Sequence, residues 1–173
     1  MKTDNIEKYL NSFGKQVVNR AKGNLQKAGK GGNLENSITF KVVTEADGFS
    51  VQFYMDSYGT FVDKGVSGTK TKRTFKDYKS KTISSPYKYT TKQPPSRVLD
   101  KWIVKKGIAP RDEKGRFMSR KSISFLIARS IGRNGIQGIS FFQKPLGLGL
   151  KQFGKDLLGS LKEDIIEGLI TVK

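Results

Sequence analysis

The chain has no cysteine and no histidine among its 173 residues. Without thiolate or imidazole it cannot assemble a Cys- or His-ligated metal centre, a Cys-His pair or a Ser-His-Asp triad. Without disulfides its folding does not depend on an oxidising compartment, so the expectation is folding in a reducing cytoplasm. Long apolar runs are missing as well. None approaches the roughly 18 residues that signal a membrane span, and the first eight residues, Met-Lys-Thr-Asp-Asn-Ile-Glu-Lys, hold no apolar signal core. A soluble product with no membrane partner is expected.

Acidic residues are scarce: 15 stand against 33 Lys and Arg, for a net charge of +18. Metal-assisted phosphodiester cleavage needs carboxylates that converge on the ion. Here Asp56 and Asp63 flank a short segment, and Asp112 and Glu113 sit in a basic turn. Glu163, Asp164 and Glu167 fall among the solvent positions of a terminal helix. Capping or solvation accounts for all of them. Gly132-Arg-Asn-Gly135 and Gly147-Leu-Gly149 lack the Lys and Ser or Thr of a phosphate-binding loop. No catalytic, cofactor-binding or metal-binding residue is assigned, and neither enzyme activity nor a cofactor is expected.

What the chain does have is concentrated basic charge and several periodic segments. Between Lys64 and Lys121, eighteen Lys or Arg face four acids, a net +14. The length suits one domain over residues 1–173 with a core of its own. Asp4 or Asn5 is a candidate cap for a helix carrying Ile6, Tyr9, Leu10, Phe13, Val17, Ala21 and Leu25 at three- and four-residue spacing, stopped by Gly29-Lys-Gly-Gly32. Ser37–Val43 and Phe49–Met55 are rich in β-branched and aromatic residues around an Asp47-Gly48 pair, which predicts a hairpin. Ser57–Lys64 predicts one or two helical turns with Tyr58, Phe61 and Val62 facing inward.

Val66–Lys92 has no period and few apolar residues, so it reads as a basic extended arm or flexible insertion. Pro94-Pro95 then opens a short helix with Val98, Leu99, Trp102 and Ile103 on one face. Ser122–Ile131 predicts another, ending at Gly132. A final amphipathic stripe runs through Leu150, Phe153, Leu157, Leu158, Leu161, Ile165, Ile166 and Leu169. The fold class is α+β: a small antiparallel sheet packed by an N-terminal and a long C-terminal helix. Two strands are too few to stand alone, so a further strand is expected from 81–91, from 135–142 or from a neighbouring subunit.

The order of N-terminal helix, Leu34-Glu-Asn-Ser-Ile38 opening a strand, hairpin, and Tyr58-Gly-Thr-Phe-Val-Asp-Lys-Gly65 resembles the tail-completion or neck (head-tail joining) proteins of tailed bacteriophages. Pro94-Pro95 leading to Trp102 and Lys106-Gly-Ile108 is similar to longer members of that group. So are Phe125-Leu-Ile-Ala-Arg-Ser-Ile131, Gly135-Ile-Gln-Gly-Ile139 and Phe141-Phe-Gln-Lys-Pro-Leu146. The resemblance implies a noncatalytic virion protein, made in the host cytoplasm. It would form a homo-oligomeric ring in the neck or upper tail, with portal-side or tail proteins as partners.

Tyr58, Phe61, Trp102 and Phe125 are then the expected core or junction anchors. Lys70, Lys72, Arg73, Lys76, Lys79 and Lys81 are the expected partner-facing charges. Phe141 and Phe142 join the partner-facing group, because adjacent residues of an extended segment point to opposite sides. The alternative is a nonspecific nucleic-acid-binding protein whose basic arm neutralises phosphates while Phe75, Tyr78, Tyr87 and Tyr89 stack on bases.

Overall fold

The computed structural model describes residues 4–45 and 48–171, with side chains through Glu167. The hairpin turn at Ala46 and Asp47 and the side chain of Leu169 lie outside the described residues. The fold is α+β, with a small antiparallel β component between an N-terminal and a long C-terminal helix. Contacts divide the chain into two compact units. The first comprises Met1–Asp63, Lys76–Thr82 and Ile139–Lys173; the second comprises Lys64–Phe75 and Ile83–Gly138.

The first unit is organised by helix α1, Asp4–Lys27, which buries Ile6, Leu10, Phe13, Val17, Ala21 and Leu25 along one face. A short helix α2, Asn33–Ser37, replaces the expected strand opening and tucks Leu34 into the core. Strands β1, Thr39–Glu45, and β2, Gly48–Tyr54, pair antiparallel with Phe40 opposite Phe53 and Val42 opposite Val51. Because side chains alternate along a strand, these residues share one face, and Phe40, Val51 and Phe53 pack against the core around α1. The Phe40 ring lies where a Cβ on Gly14 of α1 would stand, so only glycine there lets sheet and helix approach this closely. Helix α3, Gly59–Lys64, follows the hairpin.

Helix α6, Gln143–Thr171, closes the first unit against α1. The Phe153 ring meets Phe13 at 4.9 Å and Tyr9 at 5.6 Å. Half-buried Leu157 and Leu161 continue that face at helical spacing, and it ends on fully buried Asp164. The expected apolar stripe is therefore corrected: Leu150, Leu158, Ile165 and Ile166 are exposed, and an acid assigned to solvent is buried. The reason is a capping bond. Helix α1 leaves its first backbone N–H groups without intrahelical acceptors, and the Asp164 carboxylate takes those of Asn5 and Ile6, each at 3.0 Å. The cap comes from α6, and Asp4 and Asn5 both lie inside the helix.

The second unit holds a 3-10 turn, Ser96–Leu99, with helix α4, Asp100–Lys105, and helix α5, Arg120–Asn134. These pack around a small set of buried residues, chiefly Ile103, Ile123 and Ala128. Ser119 caps α5 by accepting the Ser122 N–H at 3.2 Å. The helix runs through Gly132, the expected stop, to a C-cap at Gly135 with φ 68°.

Val66–Lys92 is not a free arm. Val66 and Ile136 exchange backbone bonds at 2.8 Å in both directions, and Ser67 bonds Tyr87 and Tyr89 at 2.8 Å each. The N–H groups of Thr69 and Lys70 donate to the carbonyls of Gly132 and Arg133 at 2.9 Å, and the Arg73 Nε–H donates to that of Asn134 at 2.7 Å. Those carbonyls are the unsatisfied C-terminal acceptors of α5. The segment is ordered by backbone bonding, which leaves no hydrophobic period in the sequence. Within it strands β3, Thr74–Lys76, and β4, Thr82–Ser84, pair with each other, so 81–91 supplies no third strand to the β1–β2 hairpin.

Candidate functional site

The segment Tyr58–Gly65 is a packing corner. Gly59 starts α3 against Met55 and Leu34, whose Sδ and Cδ1 atoms lie 2.7 and 2.9 Å from where a glycine Cβ would be. Asp63 is buried; its carboxylate accepts the Phe142 N–H at 2.8 Å and its carbonyl accepts the Ser140 N–H at 2.9 Å. The Val62 carbonyl accepts the Ile139 N–H at 3.2 Å. Consecutive residues of α3 thus hold the chain that leads into α6.

Phe141 and Phe142 are the clearest correction to the expected site. Phe141 is fully buried and Phe142 is 8% exposed, both in the core of the first unit. The segment is not extended. The Lys144 N–H bonds the Ser140 carbonyl at 3.2 Å and the Leu146 N–H bonds that of Phe142 at 3.1 Å, the pattern of a first helical turn. On such a turn adjacent side chains both reach the core, and Phe142 packs edge-on to Phe53 at 5.2 Å.

The expected anchors move the opposite way. Tyr58, Phe61, Trp102 and Phe125 are 43–48% exposed, so their expected core role is overturned. The inward positions beside them are taken by smaller residues, Val62 beside Phe61 and Ile103 beside Trp102. The Tyr58 phenol is raised from its ordinary 10.0 first by partial burial and then by the adjacent Asp56 carboxylate. Burial likewise raises that of Tyr89. Of the expected charges, Lys70, Lys72, Lys76, Lys79 and Lys81 are exposed, Lys79 lying over the Tyr78 ring at 5.5 Å. Arg73 is half-buried and engaged with Asn134.

Basic charge concentrates in the second unit. It holds seventeen Lys or Arg against three acids, a net +14 of the chain's +18. Asp112 pairs with Arg116 at 3.2 Å and Asp100 with Arg120 at 3.8 Å. A cleft of about 560 Å³ opens between Thr69, Thr91, Lys92 and the end of α5, where Arg129 and Arg133 line it. Among the described residues no carboxylate lines it. Sequence reading missed this cleft, although Arg129 and Arg133 stand four apart, the spacing that puts two helix residues on one face. The same unit exposes Val98, Trp102, Val104, Phe117, Phe125 and Leu126 by 43–65%.

Among the described residues no cluster of three or more acids is placed to hold a metal ion, and no helix is long and apolar enough to cross a membrane. No family model, curated protein or solved structure matches the chain.

Proposed function

We propose that the chain is a noncatalytic structural protein of a bacteriophage neck or upper tail. It assembles as a homo-oligomeric ring joining capsid-side and tail-side components, and resides in the virion. The observation that carries this reading is the surface of the second unit, which leaves more large apolar side chains in solvent, Trp102 and Phe125 among them, than it buries. Large apolar side chains left in solvent are available for contact with partner subunits. Cyclic repetition of one heterologous contact then closes a ring, with Trp102 and Phe125 as junction anchors. Two further features support it. Among the described residues the β1–β2 hairpin has no third strand, which leaves edges for a neighbouring subunit. The exposed lysines at 70, 72, 76, 79 and 81 provide salt-sensitive contacts to acidic partner surfaces.

Light scattering of the purified chain tests the reading. A discrete multiple of the subunit mass without added DNA is the expected result. A monomer at every salt and protein concentration, unchanged by neck or tail components, overturns it.

A further inference from the structure

We propose that the cleft at the end of α5 is a binding site for the phosphate backbone of duplex DNA. This goes beyond the ring reading and does not depend on it. Arg129 and Arg133 line the cleft from the helix together with Gly132; Thr91, Lys92 and Gln93 line it from the irregular segment that follows Tyr89, and Thr69 lines it as well. Guanidinium groups present paired N–H donors that match phosphate oxygens, and threonine hydroxyls add neutral donors. Among the described residues no carboxylate lines the cleft to neutralise these cations or repel an anion.

A helix C-terminus ordinarily disfavours anions, because its last carbonyls are unsatisfied and point outward. Here the N–H groups of Thr69 and Lys70 occupy the carbonyls of Gly132 and Arg133 at 2.9 Å. The electronegative end of α5 is thereby capped, and the cationic side chains set the potential of the cleft. Among the described residues no carboxylate pairs with Lys92, Arg129 or Arg133.

The ligand is an extended polyanion, because the charge is not confined to the cleft. The second unit carries its +14 across Lys70, Lys72, Lys88 and Lys101 as well. Duplex DNA, with one charge about every 1.7 Å of axis, matches such a distribution and releases counterions on binding. Base stacking is not the mode. Tyr87 and Tyr89 are half-buried and Tyr89 is held by its backbone to Ser67 at 2.8 Å, so contact runs through phosphates without sequence preference.

The test is fluorescence anisotropy of a labelled duplex with the full-length chain across a salt series. The cleft variant Lys92→Ala/Arg129→Ala/Arg133→Ala should bind at least about tenfold more weakly near 0.1 M salt, and its log–log salt slope should fall by about 2.7. Arg129→Lys/Arg133→Lys keeps the charge and should retain the slope. Lys8→Ala/Lys15→Ala/Lys151→Ala removes equal charge from the first unit and should leave both quantities nearly unchanged. Equal losses in the two alanine triples mean bulk charge alone and overturn the site. Polyglutamate or anionic phosphatidylglycerol vesicles binding as tightly as DNA through the same arginines also overturn it, in favour of an acidic protein or a lipid surface. Light scattering of the cleft variant without DNA reads ring formation separately, so loss of one reading leaves the other standing.

Discussion

The Asp63 carboxylate holds the backbone N–H of Phe142 at 2.8 Å across 79 positions of chain. Both groups are buried, and the bond joins α3 to the turn that seats Phe141 and Phe142 in the core. Removing the acceptor leaves a buried donor unsatisfied, which costs about 1–3 kcal/mol. Asp63→Ala should lower the urea midpoint accordingly. A midpoint within error of wild type would show that the corner does not depend on this bond.

Asp164 fills the cap of α1 through two backbone bonds at 3.0 Å. Loss of a helix cap costs about 0.5–2 kcal/mol. Asp164→Ala should therefore destabilise by roughly that amount and speed amide exchange at Asn5 and Ile6, whereas Glu163→Ala, on an exposed neighbour, should do neither.

Phe141→Ala should cost about 3–5 kcal/mol, the range for deleting a buried aromatic, because Phe141 is wholly enclosed. Trp102→Ser with Phe125→Ser should leave the thermal midpoint of the monomer almost unchanged and reduce the assembled fraction seen by light scattering. The reverse pattern would return Trp102 and Phe125 to a folding role.

Glycine substitutions should split by sign. A Cβ on Gly68 would run into the Arg133 carbonyl, and one on Gly135 into that of Val66. Gly135 also sits at φ 68°, where side chains are strained. Alanine at either should destabilise the second unit by more than about 2 kcal/mol, in line with steric and backbone strain combined. Gly154 and Gly159 in α6 meet nothing within 4 Å, so alanine there should gain about 0.5–1 kcal/mol from helix propensity. Chemical denaturation of the four single variants reads both signs.

The Tyr9 phenol donates to the Phe153 carbonyl at 3.3 Å, and burial first, then the Asp156 carboxylate, raise its pKa above 10.0. The folded state therefore keeps a proton that the unfolded chain releases. Its contribution to stability is whole below pH 10 and is lost as pH rises through the folded value. The stability gap between wild type and Tyr9→Phe should shrink in urea titrations above that pH. A gap constant from neutral to strongly alkaline conditions would show that the ionised phenol costs nothing.

By itself the sequence determined what rests on local pattern and composition. The three- and four-residue spacing from Ile6 to Leu25 specified α1 and its buried face, and alternating residues around Gly48 specified the hairpin. The missing histidine and cysteine removed whole classes of chemistry. Tertiary structure decided whatever rests on backbone groups far apart in the chain. Asp164 looks like a solvent residue until the orphan N–H groups of Asn5 and Ile6, 159 and 158 positions away, are brought to it. Thr69 and Lys70 look disordered until the last carbonyls of α5 require donors. The burial of Phe141 beside Phe142 and the exposure of Trp102 were likewise set by packing, because an apolar side chain carries no label for the face that will cover it. Unsatisfied backbone groups leave no trace in residue periodicity, and they are what ordered the basic segment and brought Thr69 to the end of α5, beside the arginines that helical spacing had already put on one face.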